Sequence, residues 1–310
     1  GVTMSSEVYR EPVDPTATNN PHSYALQMTG QGNRVLEVGC SVGHVTEHLV
    51  AAGNSVVGVE IDPDAAVSAR AFADRVHAVD LDATSLSEIE HGEFDVVIFG
   101  DVLEHLRQPL RTLVDACSLL ADGGRVVISV PNVAHIDVRL MLLEGRWEYQ
   151  GTGLMDDTHL RWFTKVSLRR LLADAGLVAI RLERVRIGRY GSDIELDPER
   201  GRSDALAFIE ADPEAYTFQY VVEAIRAADA IGLDDALADE TPVEWPSLDH
   251  STTVAELAEH SRALEARNLE LEQQNAALRA GVEAWEQSAV ARVSRPLRSA
   301  WARIRRPRSS

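Results

Sequence analysis

An α/β fold, a mostly parallel seven-stranded sheet with helices on both faces, is predicted by two features of the sequence. Short runs rich in Val, Ile and Leu alternate with helical stretches of about ten to fifteen residues, the pattern of βαβ units. These runs are continuously apolar instead of alternating with polar residues, as strands covered on both faces require.

The elements follow in order. Residues 1–20 are polar, carry Pro12 and Pro15, and are expected to be a mobile lead-in. Val35 to Val38 forms a first strand, followed by a glycine-containing turn and a helix from about Gly43 to Ala52. Ser55 to Glu60 is a second strand, with an Ala-rich helix from Pro63. Further strands are expected at 76–79, 94–99 and 125–130, the last announced by the turn Asp122-Gly123-Gly124. After Pro131 the pattern loosens until Phe163, then resumes with a helix over 166–175, a strand over 177–185 and a last strand over 216–222.

Beyond this body, residues 21–228, the chain changes character. Residues 229–251 are acidic and poor in large apolar side chains, the composition of a linker. Leu257, Leu264, Leu271, Leu278 and Trp285 then recur every seven residues, facing Val254, Ser261, Asn268, Asn275 and Val282. This heptad seam predicts a coiled coil over 252–287, and asparagines at the facing positions favour a parallel homodimer. Residues 288–310 hold seven arginines and no acid, with Leu297, Trp301 and Ile304 on one helical face. Such a tail suits an anionic membrane surface or the acidic linker of the same chain.

Composition excludes several classes. No apolar run of about 18 residues is present and no basic-then-apolar leader opens the sequence, so a membrane span and a secretory signal are not expected. Two cysteines cannot build a disulfide framework, which makes the cytoplasm the expected location, with peripheral contact at the inner membrane face through the tail. A net charge of −19 argues against a body that binds nucleic acid by neutralising phosphates.

The first turn carries the chemistry. It reads Glu37-Val38-Gly39-Cys40-Ser41-Val42-Gly43, at the carboxyl end of a strand where open α/β sheets bind ligands. The spacing G-x-x-x-G departs from the G-x-G-x-x-G of a pyrophosphate site. Glu37 would repel a pyrophosphate but suits a cation. S-adenosylmethionine carries a sulfonium and an ammonium and no phosphate. Glu60, ending the second strand, can accept both ribose hydroxyls, a feature that a dinucleotide would also use.

These segments, with Gly58-Val59-Glu60-Ile61-Asp62, Val79-Asp80-Leu81-Asp82, Phe94 to Leu106 and Leu120 to Gly124, resemble the class I S-adenosylmethionine-dependent methyltransferases in order and spacing. Ser41 stands where that family usually has a middle glycine. The resemblance implies a Rossmann-like fold. It further implies that Glu37, Gly39, Cys40, Ser41, Gly43, Glu60, Ile61, Asp80, Leu81, Gly100 and Asp101 line the cofactor, Glu60 holding the ribose and Asp80 with the Leu81 backbone the adenine.

For the transfer step, Asp101, Glu104 and His105 would share one face if they lie on a helix, and could then hold a divalent cation such as Mg²⁺. A similar acid-x-x-Glu-His occurs in ubiquinone-biosynthesis methyltransferases, where the resemblance implies a metal. His105, His135, Asp157 and His159 are the candidate bases for a hydroxyl acceptor, histidine titrating closest to neutrality. Arg161 would orient an anionic acceptor. Ser129 to His135 and Gly151 to Thr164 resemble a methyltransferase subfamily associated with bacterial surface polysaccharides, which implies a sugar or glycan acceptor. A quinone, a polyketide or another small metabolite, and an inactive scaffold acting through its coiled coil, stay open as alternatives.

Overall fold

The computed structural model describes residues 13–196 and 203–238. The expected coiled coil and basic tail lie outside the described residues.

Among the described residues, seven strands are interleaved with eight α-helices, beginning with α1 (Pro21–Thr29), β1 (Arg34–Val38), α2 (His44–Ala51), β2 (Ser55–Glu60), α3 (Pro63–Ala69) and β3 (Arg75–Ala78). There follow α4 (Leu86–Ile89), β4 (Phe94–Gly100), α5 (Pro109–Ser118), β5 (Leu120–Pro131) and α6 (Ile136–Leu143). The last described elements are α7 (Lys165–Asp174), β6 (Leu177–Arg186), α8 (Ser203–Glu210) and β7 (Thr217–Arg226). Helix starts follow capping chemistry. The Asn20 side chain accepts from the Ser23 N–H, Asp62 accepts from the Asp64 N–H, and Thr164 and Ser167 cap α7 reciprocally.

The strands form one sheet in the order β3-β2-β1-β4-β5-β7-β6. The first five are parallel, and β7 enters antiparallel between β5 and β6. Successive strand residues face opposite sides, so β1 sends Leu36 and Val38 into one core layer with Val57, Phe99 and Ile128. It sends Val35 into the other, with Leu49, Val56, Val96 and Met28. Each such buried side chain contributes about 1.5–3 kcal/mol. Strand order reverses between β1 and β4, which places a topological switch point, and its crevice, beyond their carboxyl ends.

Three boundaries differ from expectation. β5 begins at Leu120, absorbing the Asp122–Gly124 turn by a register shift opposite Phe94–Val96 and a left-handed Gly123 at φ +71°. Residues 13–20 are fastened to the body: the Asn19 side-chain amide donates to the Arg186 carbonyl at 2.8 Å, and its oxygen accepts from the Arg186 N–H at 2.7 Å. The body also runs past 228, because Leu237 is buried at 1% exposure and the Ala236 N–H donates to Ala179 on β6.

The loosened stretch after β5 is an insertion whose ends meet in a bridge between Asn132 and Phe163. It has its own apolar cluster, Val138, Met141, Leu154 and Met155, which also takes in Ile194.

Candidate active site

The β1–α2 turn is shaped by backbone constraints. Gly39 has φ +79°, and a β-carbon there would lie 2.3 Å from Val102 Cγ2. Gly43 has φ +96°, with Phe72 Cδ2 at 2.8 Å from the corresponding point. Ser41 adopts φ +47°, the conformation that the usual glycine would take without strain. The turn is held by Glu60: the Ser41 N–H donates to Oε2 at 2.8 Å, and the Ile61 and Asp62 N–H groups donate to Oε1 at 2.8 and 2.9 Å. A carboxylate has about four acceptor sites; these three bonds fill both of Oε1's, so one site on Oε2 is left for a ribose hydroxyl.

Glu37 lies beneath this turn, buried, accepting from Thr46 Oγ1 at 2.6 Å. Burial pushes its carboxyl up to about 7 against the Thr46 hydrogen bond, and the negative charge of Glu60 adds to the rise. Cys40 is buried with its thiol pushed far up by the same loss of solvent, and Gly58 leaves room for its sulfur. Ile61 is exposed. Asp80 is exposed after β3 and accepts from the Asp82 N–H at 2.8 Å, while Leu81 packs into the core. Gly100 ends β4 with open space where a β-carbon would point. All these residues stand at the carboxyl edge of the parallel strands.

The turn after β4 departs from the expected helix. Leu103–His105 is a single 3-10 turn, and Asp101 precedes it at φ +54°. Asp101 therefore faces β5 and β7, accepting from Ser129 Oγ at 2.9 Å and Gln219 Nε2 at 2.5 Å. The set Asp101, Glu104 and His105 does not form on one helical face. Instead His159 joins Glu104 and His105, with candidate ligand atoms all within 4.8 Å of one another.

Backbone hydrogen bonds make that meeting: the Leu160 and Arg161 N–H groups both donate to the Glu104 carbonyl, at 2.8 and 2.9 Å. Glu104 is 1% exposed, and among the described residues neither carboxyl oxygen has a hydrogen-bond partner, nor has Nδ1 of the buried His159. Burial drives Glu104 well above the ordinary carboxyl range, helped by Asp101 and Asp156. Burial first, and His105 second, lower the His159 pKa, which keeps its imidazole neutral. Nδ1 of His105 lies 3.1 Å from Thr158 Oγ1, which donates to Asp156 Oδ1 at 2.5 Å.

The remaining candidates are placed elsewhere. His135 is fully buried and caps α6, its Nδ1 accepting from the Asp137 N–H at 3.3 Å and its Nε2 lying 3.1 Å from the Ile187 carbonyl. Both ring nitrogens are thus occupied in holding the chain. Asp157 is exposed, and its backbone N–H donates to Gln150. Arg161 is exposed and donates to the carbonyls of Leu160 and Arg107.

Sequence reasoning did not anticipate the aromatic residues beside His159. The Trp162 ring centroid lies 5.5 Å from that of His159, Trp147 lies 5.3 Å from Trp162, and Tyr149 lies 6.4 Å from both tryptophans. The alternation Trp147-Glu148-Tyr149 inside an irregular insertion was the available signal.

Residues 14–182, more than half of the chain, match a family model described as a methyltransferase domain. A ubiquinone biosynthesis O-methyltransferase from Methylococcus capsulatus is 35% identical over 184 residues, 57% of this chain and 76% of the relative. One from Psychrobacter arcticus is 30% identical over 164 residues, 50% of this chain, and there the chain spans only 63% of the relative's length. A solved S-adenosylmethionine-dependent methyltransferase from Archaeoglobus fulgidus is 17% identical at a TM-score of 0.49, covering 71% of this chain and 94% of that one.

Proposed function

The chain belongs to the methyltransferase-domain family, in its class I, S-adenosylmethionine-dependent branch, and from that premise we propose that it O-methylates a hydroxyl of a sugar or glycan intermediate. The observation that supports a hydroxyl acceptor is the polar floor after β4, where Glu104 and His159 present buried atoms with no partner among the described residues. Such atoms cost about 1–3 kcal/mol each until a ligand satisfies them.

In this reading Glu60 accepts a ribose hydroxyl on Oε2, Asp80 and the Leu81 backbone meet the adenine, and Glu37 faces the methionine ammonium. When bound, S-adenosylmethionine would supply an electrophilic methyl group on its sulfonium for the acceptor hydroxyl. His159, neutral at pH 7, takes the hydroxyl proton on Nδ1. Glu104, kept protonated by burial, hydrogen-bonds the acceptor beside it.

The donor set Glu104, His105 and His159 also fits a divalent cation, and two imidazoles suit zinc or manganese better than the oxygen-loving Mg²⁺. With the ion bound, Glu104 and His159 would be its ligands instead of acid and base, and the ion would polarise the acceptor oxygen. The names of the ubiquinone relatives favour a second reading, a quinone-like ring as acceptor. We further propose a homodimer through 252–287, with the basic tail at an anionic membrane. Among the described residues, no helix is long and apolar enough to cross one.

Calorimetric titration with S-adenosylmethionine and release of S-adenosylhomocysteine test the proposal together. Glu60→Ala should weaken binding by about 1.5–3 kcal/mol for each hydrogen bond lost. His159→Ala should bind the cofactor normally and lower turnover about 10²–10⁴-fold. A folded Glu60→Ala chain with unchanged affinity removes Glu60 from the site, and full turnover in His159→Ala removes the base. Full turnover in excess chelator removes the cation.

A further inference from the structure

Three large aromatic side chains stand together at the mouth of the site. Trp147 is 39% exposed and Tyr149 57% exposed. An aromatic side chain can bury about 150–250 Å² of surface, so leaving two together in water marks a binding surface more than a packing solution. The group is continuous with the buried floor: Tyr149 and Trp147 meet Trp162, Trp162 meets His159 at 5.5 Å, and His159 meets His105 at 4.8 Å. The outer rings are thus joined by ring contacts to His159, whose Nδ1, like the Glu104 carboxyl oxygens, has no partner among the described residues.

The ring angles exclude a flat acceptor sandwiched between two faces. Trp147 crosses Trp162 at 80° and Tyr149 at 86°, and Trp162 crosses His159 at 78°. Sandwiching a flat aromatic acceptor takes two parallel faces about 7 Å apart, twice a carbon–carbon contact. The pair nearest to parallel, Tyr149 and Trp162, is tilted by 37° with centroids at 6.4 Å, too close and too inclined for a ring between them. Single open faces remain. A pyranose suits a single face, because its C–H groups stack on one aromatic ring while its hydroxyl rim stays free to hydrogen-bond.

The platform is also braced in advance of binding. Arg146, Glu148 and Gln150 alternate in sequence with Trp147 and Tyr149 through an irregular segment. Nε of Arg146 donates to Glu148 at 2.9 Å, and its Nη1 donates to Glu144 at 2.7 Å and to the Glu195 carbonyl at 2.8 Å. Gln150 Nε2 donates to the Asp193 carbonyl at 2.6 Å. Rings fixed in this way lose little freedom when a ligand arrives.

We infer that Trp147, Tyr149 and Trp162 form a saccharide platform that holds the acceptor ring while one of its hydroxyls reaches His159. The inference rests on the sugar reading proposed above and assigns it a recognition surface.

Saturation-transfer NMR on the full chain loaded with S-adenosylhomocysteine tests it, with methyl α-D-mannopyranoside, methyl β-D-glucopyranoside and methyl α-L-rhamnopyranoside as probes and catechol as control. At least one glycoside should receive saturation on its ring C–H protons. Trp147→Ala and Tyr149→Ala should each weaken that binding about tenfold, with cofactor affinity within about twofold of the parent chain. Both positions are exposed, and the retained cofactor affinity certifies the fold; Trp147→Phe, which keeps a ring face, should recover most of the binding. Glycosides that bind equally well to both alanine variants overturn the platform and leave the sugar reading standing. Absence of saturation on every glycoside overturns the platform, and methylation of catechol in a parallel assay with S-adenosylmethionine in place of S-adenosylhomocysteine overturns the sugar reading as well.

Discussion

Gly39 and Val102 approach so closely that a single methyl group cannot stand between them: the β-carbon that alanine would add lies 2.3 Å from Val102 Cγ2. This contact joins the turn after β1 to the turn after β4, the two sides of the switch point. Gly39→Ala should therefore cost about 1–3 kcal/mol of stability from overpacking, and further strain from φ +79°. Cofactor affinity should fall at least tenfold, because the turn has to move to admit the methyl. Urea unfolding and calorimetric titration check the two effects, and parent-like values in both would refute the constraint.

Glu37 makes the site sensitive to pH. Its carboxyl is raised from 4.5 to about 7 in the fold, so between these values the folded chain holds a proton that the unfolded chain has released. Stability of the ligand-free protein should accordingly decline as pH rises from about 4.5 to about 7. Affinity for the cationic cofactor should change in the opposite sense, rising by at most about tenfold per pH unit as Glu37 ionises. Titrations at pH 6 and pH 8 measure this, and Glu37→Gln should flatten the profile. A Gln variant that keeps the parent's slope assigns the effect to another group.

Asp137 is completely buried and accepts from the Tyr190 N–H at 2.9 Å, the Ser192 N–H at 3.2 Å and Ser192 Oγ at 2.7 Å. It holds the segment after β6, where Tyr190 takes φ +63°, against the insertion. Asp137→Ala should lower stability by about 2–4 kcal/mol, since it strips the acceptor from three donors at once. Thermal or urea denaturation reads the loss. A change below about 0.5 kcal/mol would show that this segment contributes nothing to the fold.

Truncation after residue 251 should convert a dimer into a monomer and leave cofactor affinity unchanged, because the heptad seam supplies association and the body has its own core. Light scattering that finds one mass before and after truncation refutes the seam.

The sheet and its cofactor turn were legible in the sequence because their signals are local. The run Val35-Leu36-Glu37-Val38, the glycines at 39 and 43, and Glu60 at a strand end each fall within one βα unit. The acceptor floor was legible only in part. Glu104 and His105 are neighbours, but His159 reaches them through backbone hydrogen bonds from 160 and 161 to the Glu104 carbonyl, a pairing that no spacing rule encodes. Asp101 was assigned to the same face because a helix was assumed; its left-handed backbone turns it toward Gln219, more than a hundred residues away in sequence. His135 illustrates the converse error, a residue of the right chemistry used to cap a helix. The aromatic platform escaped because its members are brought together by the closure of an irregular insertion.

That closure has an evolutionary corollary. The insertion leaves and rejoins the sheet at one point, Asn132 beside Phe163, with the Val133 N–H donating to the Phe163 carbonyl at 2.9 Å. Doubling a loop's length raises its closure cost by only about 0.6 kcal/mol, so length changes between these ends cost the scaffold little as long as the ties from Asp137 to Tyr190 and Ser192 and from residues 160 and 161 to Glu104 are kept. The cofactor half would pass unaltered through such changes. On the reading proposed above, acceptor preference in this lineage would drift with residues 132–163, and transplanting them between relatives together with their partners on the body would reprogram it.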